Sequence, residues 1–210
     1  IGPGVSTLIA FGAKDAALII YKGEWWRLFT PMLLHGSVLH LLGNVLIQLR
    51  IGGYLELVFT TPKWILVYMS SGVFGNICSC IFIPDAASVG SSGAVLGLLS
   101  AWMVWIIFRW KKIPHEAKSQ RNCQLGVVLG SIGITLAFSF TPAVDWAEHF
   151  GGALMGLLAS VVLIANELDN EYSRMALRVS SLAVSTVLYI VSVWYMVEEL
   201  KPSDDHLQYY

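Results

Sequence analysis

Residues 89–108 read VGSSGAVLGLLSAWMVWIIF: a glycine-bracketed serine pair that leads into an apolar run with no charged side chain. A bilayer's hydrocarbon core takes about 20 mostly apolar residues of helix. The run 93–108 reaches that length once its small and polar N-terminal neighbours are added. Four further runs have the same character: 64–83, 123–140, 150–165 and 175–196. A sixth, 38–59, is interrupted by Arg50 and Glu56; a long arginine side chain can snorkel its charge toward an interface. Composition agrees, with 56% hydrophobic and 13% charged residues, where a soluble domain carries about 25% charged. The expected fold is an all-α polytopic membrane bundle with about six transmembrane helices in this chain and seven in the full protein.

Charge sets the expected orientation. The loop RWKKIPHEAKSQR (109–121) places Arg109, Lys111, Lys112, Lys118 and Arg121 against a single Glu116, which the positive-inside rule assigns to the cytosol. Alternation then puts Arg50, Lys63, Arg174 and Arg178 on the same side. Asp85, Asp145 and Glu148 fall on the other, with an acidic tail of Glu198, Glu199, Asp204 and Asp205. One domain is expected: a partly interfacial lumenal loop at 1–37, six spans within 38–197 and an acidic lumenal tail at 198–210. Trp25 and Trp26 suit the headgroup level. With six spans both ends lie on the lumenal side, and the sequence opens without a signal-peptide pattern; an N-terminal helix outside these residues is therefore expected. A net charge of −1 gives no basic patch for nucleic acid. Cys78, Cys80 and Cys123 lie in or beside apolar runs, so neither a disulfide scaffold nor a metal site is expected, and no cofactor is called for.

Ionisable and polar groups inside spans are costly and start as candidates for function. Here they converge. His40 and Asn44, four apart, share a helix face, and His35 precedes them. Ser91 and Ser92 open the span at 93–108, and His149 opens the one at 150–165. Three spans thus bring Ser, His and Asn to one lumenal level. A serine hydroxyl needs a neighbouring base to become a nucleophile, and neutral imidazole suits that role, so the set points to acyl transfer by a Ser–His dyad. Asp145, four residues before His149, belongs to the loop or first turn and is not expected as a third member. Donors for a tetrahedral oxyanion would be the N–H groups at the start of the Ser92 helix, the His40 imidazole and the Asn44 amide, each worth about 3 kcal/mol. Gly90 and Gly93 flank the serines. Gly152 and Gly156 form a stripe of the kind that lets membrane helices approach closely, on roughly the same face as His149.

These residues resemble the rhomboid family of intramembrane serine proteases, along EWWRLFTPMLLHGSVLHLLGN (24–44), GGYLE (52–56), VGSSGAVLG (89–97) and EHFGGALMG (148–156). The family's Trp-Arg pair falls on Trp26 and Arg27, and its His-x4-His-x3-Asn pattern on His35, His40 and Asn44. A glycine-rich turn ending in an acid falls on Gly52, Gly53 and Glu56. The G-x-S-G motif falls on Gly90 to Gly93, which makes Ser92 rather than Ser91 the nucleophile, with His149 as its base. The resemblance implies an oxyanion hole of the Ser92 N–H, His40 and Asn44, and a site opening to the lumenal or extracellular side of a plasma or secretory-pathway membrane. Substrates would be single-span proteins whose helices unwind near the cut. It also implies a eukaryotic-type member whose first core helix precedes this chain. Two positions depart from the pattern. Leu96 stands where an aromatic ring usually stacks on the imidazole. Glu148 replaces a small residue before the catalytic histidine and is expected to face away from Ser92. The rival reading is a silent relative that binds membrane clients, against which the retention of both Ser92 and His149 argues. A transporter would carry its polar groups nearer mid-span.

Overall fold

A computed structural model describes residues 2–141, 144–205 and 207; the last residues of the expected acidic tail, 206 and 208–210, lie outside them. Two short helices, α1 (Val5–Phe11) and α2 (Ala16–Lys22), precede 3-10 turns at Trp25–Leu28 and Thr30–Leu33. At seven residues each, α1 and α2 are far too short to cross a bilayer. Next, α3 (Val38–Ile47), a π-helical turn (Gln48–Gly52) and α4 (Gly53–Phe59) run on as one 22-residue segment. Gly52 and Gly53, expected in a turn after this helix, therefore lie inside it. The π turn absorbs the glycine pair without ending the helix, which stops only where Thr60 takes φ +75° ahead of Pro62.

The remaining helices are α5 (Thr61–Phe82), α6 (Ser92–Phe108), α7 (Lys118–Phe138), α8 (Trp146–Ile164) and α9 (Glu171–Glu198). Among the described residues, five helical segments are long and apolar enough to cross a membrane: Val38–Phe59, Thr61–Phe82, His115–Phe138, Trp146–Glu167 and Glu171–Glu198. The chain is an all-α polytopic membrane bundle; the sixth run, 38–59, is long enough, whereas the run at 93–108 falls short. α6 has 17 residues, which rise about 26 Å at 1.5 Å each, against a core of about 30 Å. Its first residue, Ser92, cannot reach one surface if its last reaches the other.

α6 occupies the middle because it is apolar on every side. Gly93 through Ala101 are all buried, packed between α5 and α8. Lipid tails are as apolar as leucine, so helices in a membrane associate through close packing rather than hydrophobic drive. Small residues provide that closeness here. A Cβ added to Gly152 would overlap the backbone of Gly93, one added to Gly156 the backbone of Gly97, and one added to Gly97 the side chain of Ser71. The backbones of α6 and α8 therefore touch with nothing between them.

The outer helices are thinly packed. α7 buries Arg121 and Val128, and α9 buries Ser181 and Met196 along 28 residues. Leu46, Leu57, Ile134, Val187 and Ile190 are exposed, the kind of extended apolar surface a membrane-spanning bundle presents to lipid. At one end, Arg109 pairs with Glu167 at 3.2 Å and Lys112 with Asp169 at 3.1 Å, while the Arg121 guanidinium lies 3.5 Å from the Trp110 ring centre.

The approach to α6 is strapped to the N-terminal segment by a buried lysine. Lys14 Nζ donates to the carbonyls of Ile83 at 2.8 Å and Ala86 at 2.6 Å. Its backbone exchanges N–H···O bonds with Ser88, and the Gly90 N–H donates to the Pro31 carbonyl. Burial holds the Lys14 pKa below the usual lysine value. Lys14→Met removes both charge-assisted bonds to the Ile83 and Ala86 carbonyls and is expected to cost about 2 kcal/mol, with faster hydrogen exchange across 83–90. Unchanged exchange in that segment would count against the strap.

Candidate active site

Ser92 begins α6, and the chain turns into that helix at Gly90, whose φ of +141° suits a residue without a side chain. His149 is the fourth residue of α8, whose start is fixed by Asp145. One Asp145 carboxylate oxygen caps the helix by accepting from the Glu148 N–H at 2.9 Å, and the other accepts from the Ser79 hydroxyl. Asp145 is thus spent on local structure. The glycine contacts between α6 and α8 bring the two side chains together. Ser92 Oγ lies 2.6 Å from His149 Nε2 across 57 residues of sequence, and His149 is buried.

The other ring nitrogen has a partner the sequence did not announce. Ser139, fully buried just past the end of α7, holds its Oγ 2.5 Å from His149 Nδ1 and 2.7 Å from the Thr135 carbonyl oxygen. The signal that could have found it is position: a hydroxyl at the end of one span, ten residues before the histidine that opens the next.

His40 and Asn44 lie on α3, whose first turn Ser37 caps by accepting from the His40 N–H at 3.1 Å. A Cβ placed on Gly90 would sit 3.0 Å from His40 Nε2 and 3.5 Å from Ser92 Oγ. The His40 ring therefore packs against the Gly90 backbone too closely for a side chain there, which keeps the imidazole near Ser92. Asn44 is buried, yet its Nδ2 has no hydrogen-bond partner among the described residues. A buried amide donor without an acceptor calls for an explanation. His35 meets His40 edge-on with ring centres 5.2 Å apart; burial, and then the neighbouring His40, lower its pKa.

Glu148 does not point clear of the nucleophile's helix, as expected from its place in the turn. It is buried, with Oε1 accepting from the Gly93 N–H at 3.1 Å and Oε2 from the Ser88 hydroxyl at 3.4 Å. The Gly93 N–H is therefore committed, which leaves the Ser92 N–H as the backbone donor nearest the reacting oxygen. Leu96 is buried one turn along α6, and Gly152 and Gly156 lie in the α6–α8 seam.

The remaining candidates are not brought to the dyad. Arg27 donates to the carbonyls of Ile9 at 2.6 Å and Ala13 at 3.0 Å, pairs with Glu24, and stacks on Trp26 at 4.4 Å, so it organises the N-terminal segment. Trp26 is exposed. Gly52, Gly53 and Glu56 sit three to four turns beyond His40 on the same helical segment, where Glu56 accepts from the Thr61 hydroxyl at 2.8 Å.

A hydroxyl held against a buried imidazole, with a second imidazole close by, is the equipment of acyl transfer. Known proteins point the same way. Residues 22–166 match the Rhomboid domain. The chain is 35% identical over 178 residues to RHOMBOID-like protein 7 of Arabidopsis thaliana, covering 84% of this chain and 55% of that protein. It is 36% identical over 164 residues to RHOMBOID-like protein 1 of the same plant, covering 78% and 41%. Against the Rhomboid protease GluP of Bacillus subtilis (strain 168) the identity is 35% over 158 residues, covering 75% and 29%. The chain spans about half the length, or less, of these relatives.

Proposed function

This chain belongs to the rhomboid family, and from that premise we propose that it is a serine endopeptidase that cuts single-span proteins inside the membrane. The observation that carries the proposal is the 2.6 Å contact between Ser92 Oγ and His149 Nε2. In the attack, the Ser92 hydroxyl passes its proton to Nε2 as Oγ bonds to the scissile carbonyl carbon. The oxyanion then forms beside Ser92, and the His40 imidazole, the unpartnered Asn44 amide and the Ser92 N–H are the donors that would serve it. The imidazolium returns the proton to the leaving amine, and water repeats the sequence on the acyl-enzyme. A backbone carbonyl inside a membrane helix is already hydrogen-bonded, so substrates would be helices that unwind readily near the cut.

In the same reading, 1–37 is a partly interfacial lumenal loop, 38–197 the membrane helices and 198–210 a lumenal tail. The segment Val38–Phe59 and helices α5 to α8 are the second to sixth helices of the family core, and α9 is an added one, as in a eukaryotic-type member. The basic cluster at 109–121 favours a cytosolic position for the end of the bundle away from Ser92. The site then opens to the lumenal or extracellular side of a plasma or secretory-pathway membrane.

The test uses the full-length protein reconstituted in vesicles with a tagged single-span reporter carrying helix-destabilising residues near one end. The expected result is a single cut near that end, with a serine-directed fluorophosphonate labelling Ser92. An intact reporter together with an unlabelled Ser92 would overturn the assignment.

A further inference from the structure

We propose that Ser139 is a positioning residue that fixes the tautomer of His149, setting Nε2 as the free base that faces Ser92. The proposal deepens the protease reading above and rests on it for its kinetic consequence, though the tautomer itself can be read without any activity. Ser139 has one hydroxyl hydrogen and two close neighbours, the Thr135 carbonyl oxygen at 2.7 Å and His149 Nδ1 at 2.5 Å. A carbonyl oxygen is an acceptor only. Two oxygens 2.7 Å apart repel unless a hydrogen lies between them, so the hydroxyl donates to Thr135. Ser139 Oγ is then left with lone pairs toward the ring, and Nδ1 must be the nitrogen that carries the hydrogen. In a neutral imidazole the other nitrogen is bare. Nε2 therefore accepts from Ser92, which is the arrangement a general base needs.

The alternative tautomer places a hydrogen on Nε2, turns Ser92 into an acceptor and leaves Nδ1 facing an oxygen lone pair. The hydroxyl of Ser139 thus does for this ring what the carboxylate does in a Ser–His–Asp triad, but as a neutral group and from a different helix. No other described side chain is hydrogen-bonded to Nδ1, because Asp145 is engaged by the Glu148 N–H and the Ser79 hydroxyl. The arrangement depends on the seating of the end of α7, where the Phe140 and Phe150 rings meet with centres 6.0 Å apart. α7 itself buries little else than Arg121 and Val128.

The experiment has two readouts on full-length protein in detergent micelles. Nitrogen-15 NMR of the histidine ring reports which nitrogen is protonated, and reporter cleavage gives kcat and KM. Wild type is expected to show the Nδ1–H tautomer at His149, identified by the loss of its signal in His149→Ala. Ser139→Ala should shift the ring toward Nε2–H or a mixture and lower kcat by about 10–100-fold, with KM within about threefold. Ser139→Thr, which keeps the hydroxyl, should restore both readouts most of the way. If Ser139→Ala unfolds, Ser139→Cys, with a weaker acceptor of similar size, gives the same comparison. A ring spectrum and kcat unchanged in Ser139→Ala would overturn the proposal. Cleavage that survives in Ser92→Ala would instead sink the protease reading, while the NMR result would still decide the tautomer.

Discussion

Ser92→Ala and His149→Ala are each expected to lower kcat by about 10⁴–10⁶, the scale on which a serine hydrolase loses rate when its nucleophile or base is removed. The two side chains share one proton-transfer step across a 2.6 Å contact, so removing either disables the other. The double variant should therefore be scarcely slower than each single one, and this non-additivity is the sharper test. Independent contributions would multiply. On the proposed mechanism, what remains in all three variants is the stabilisation offered by the oxyanion donors and by substrate binding. Product formation from a single-span reporter, with equal amounts of folded protein, measures all four forms. A single variant within tenfold of wild type, or a double variant slower than either single by the product of their effects, would refute a dyad.

The second large effect concerns a residue that never touches substrate. Gly156→Leu is expected to abolish folding of the bundle, and Gly156→Ala to destabilise it by about 1–3 kcal/mol with a loss of cleavage beyond what the destabilisation explains. A Cβ at Gly156 would fall within the backbone of Gly97. No rotamer can relieve that overlap, because the Cβ is fixed by its own backbone and its partner is main chain. α6 and α8 must separate, and separation acts directly on the Ser92–His149 contact at one end of the seam. Gly126→Ala and Gly130→Ala on α7 are the controls. Nothing lies within 4 Å of a Cβ at either position, and helix propensity favours alanine over glycine. Thermal unfolding in detergent should show those two unchanged or slightly raised and Gly156→Ala lowered. Equal stability across the three would show that the seam tolerates separation.

The parts of the fold that could be read from sequence are those with a local signature. Apolar runs announce helices because a bilayer imposes length and hydrophobicity on each one separately. Ser92, His149, His40 and Asn44 stand out as candidates in the sequence because polar groups at the starts of several apolar runs are costly. The rest depended on contacts between distant residues. α6 stops short of a full span because Lys14 and Pro31, far away in sequence, hold the segment before it in an extended path. Gly52 and Gly53 read as a break, yet a π turn carries the helix through them. Helical angle alone turns Glu148 away from Ser92, whereas its position is decided by the Gly93 N–H on another helix. Ser139 is one hydroxyl at the end of an apolar run, with no pattern around it. Its role emerges only when α7 and α8 are laid side by side.

The order of the helices along the chain also bears on how the protein is made. Ser92 and His149 are separated by 57 residues with the whole of α7 between them. A ribosome adding roughly 5–20 residues per second leaves about 3–11 s between their syntheses. Throughout that interval the serine is an ordinary hydroxyl, since the imidazole that would activate it has not been made. On the protease reading, a newborn chain thus passes through the crowded insertion machinery, among other unfinished membrane helices, with its nucleophile disarmed by connectivity alone. The same reading has arming come only when α8 enters the bilayer and closes onto α6, so that assembly would serve as the safety catch that a removable propeptide provides elsewhere.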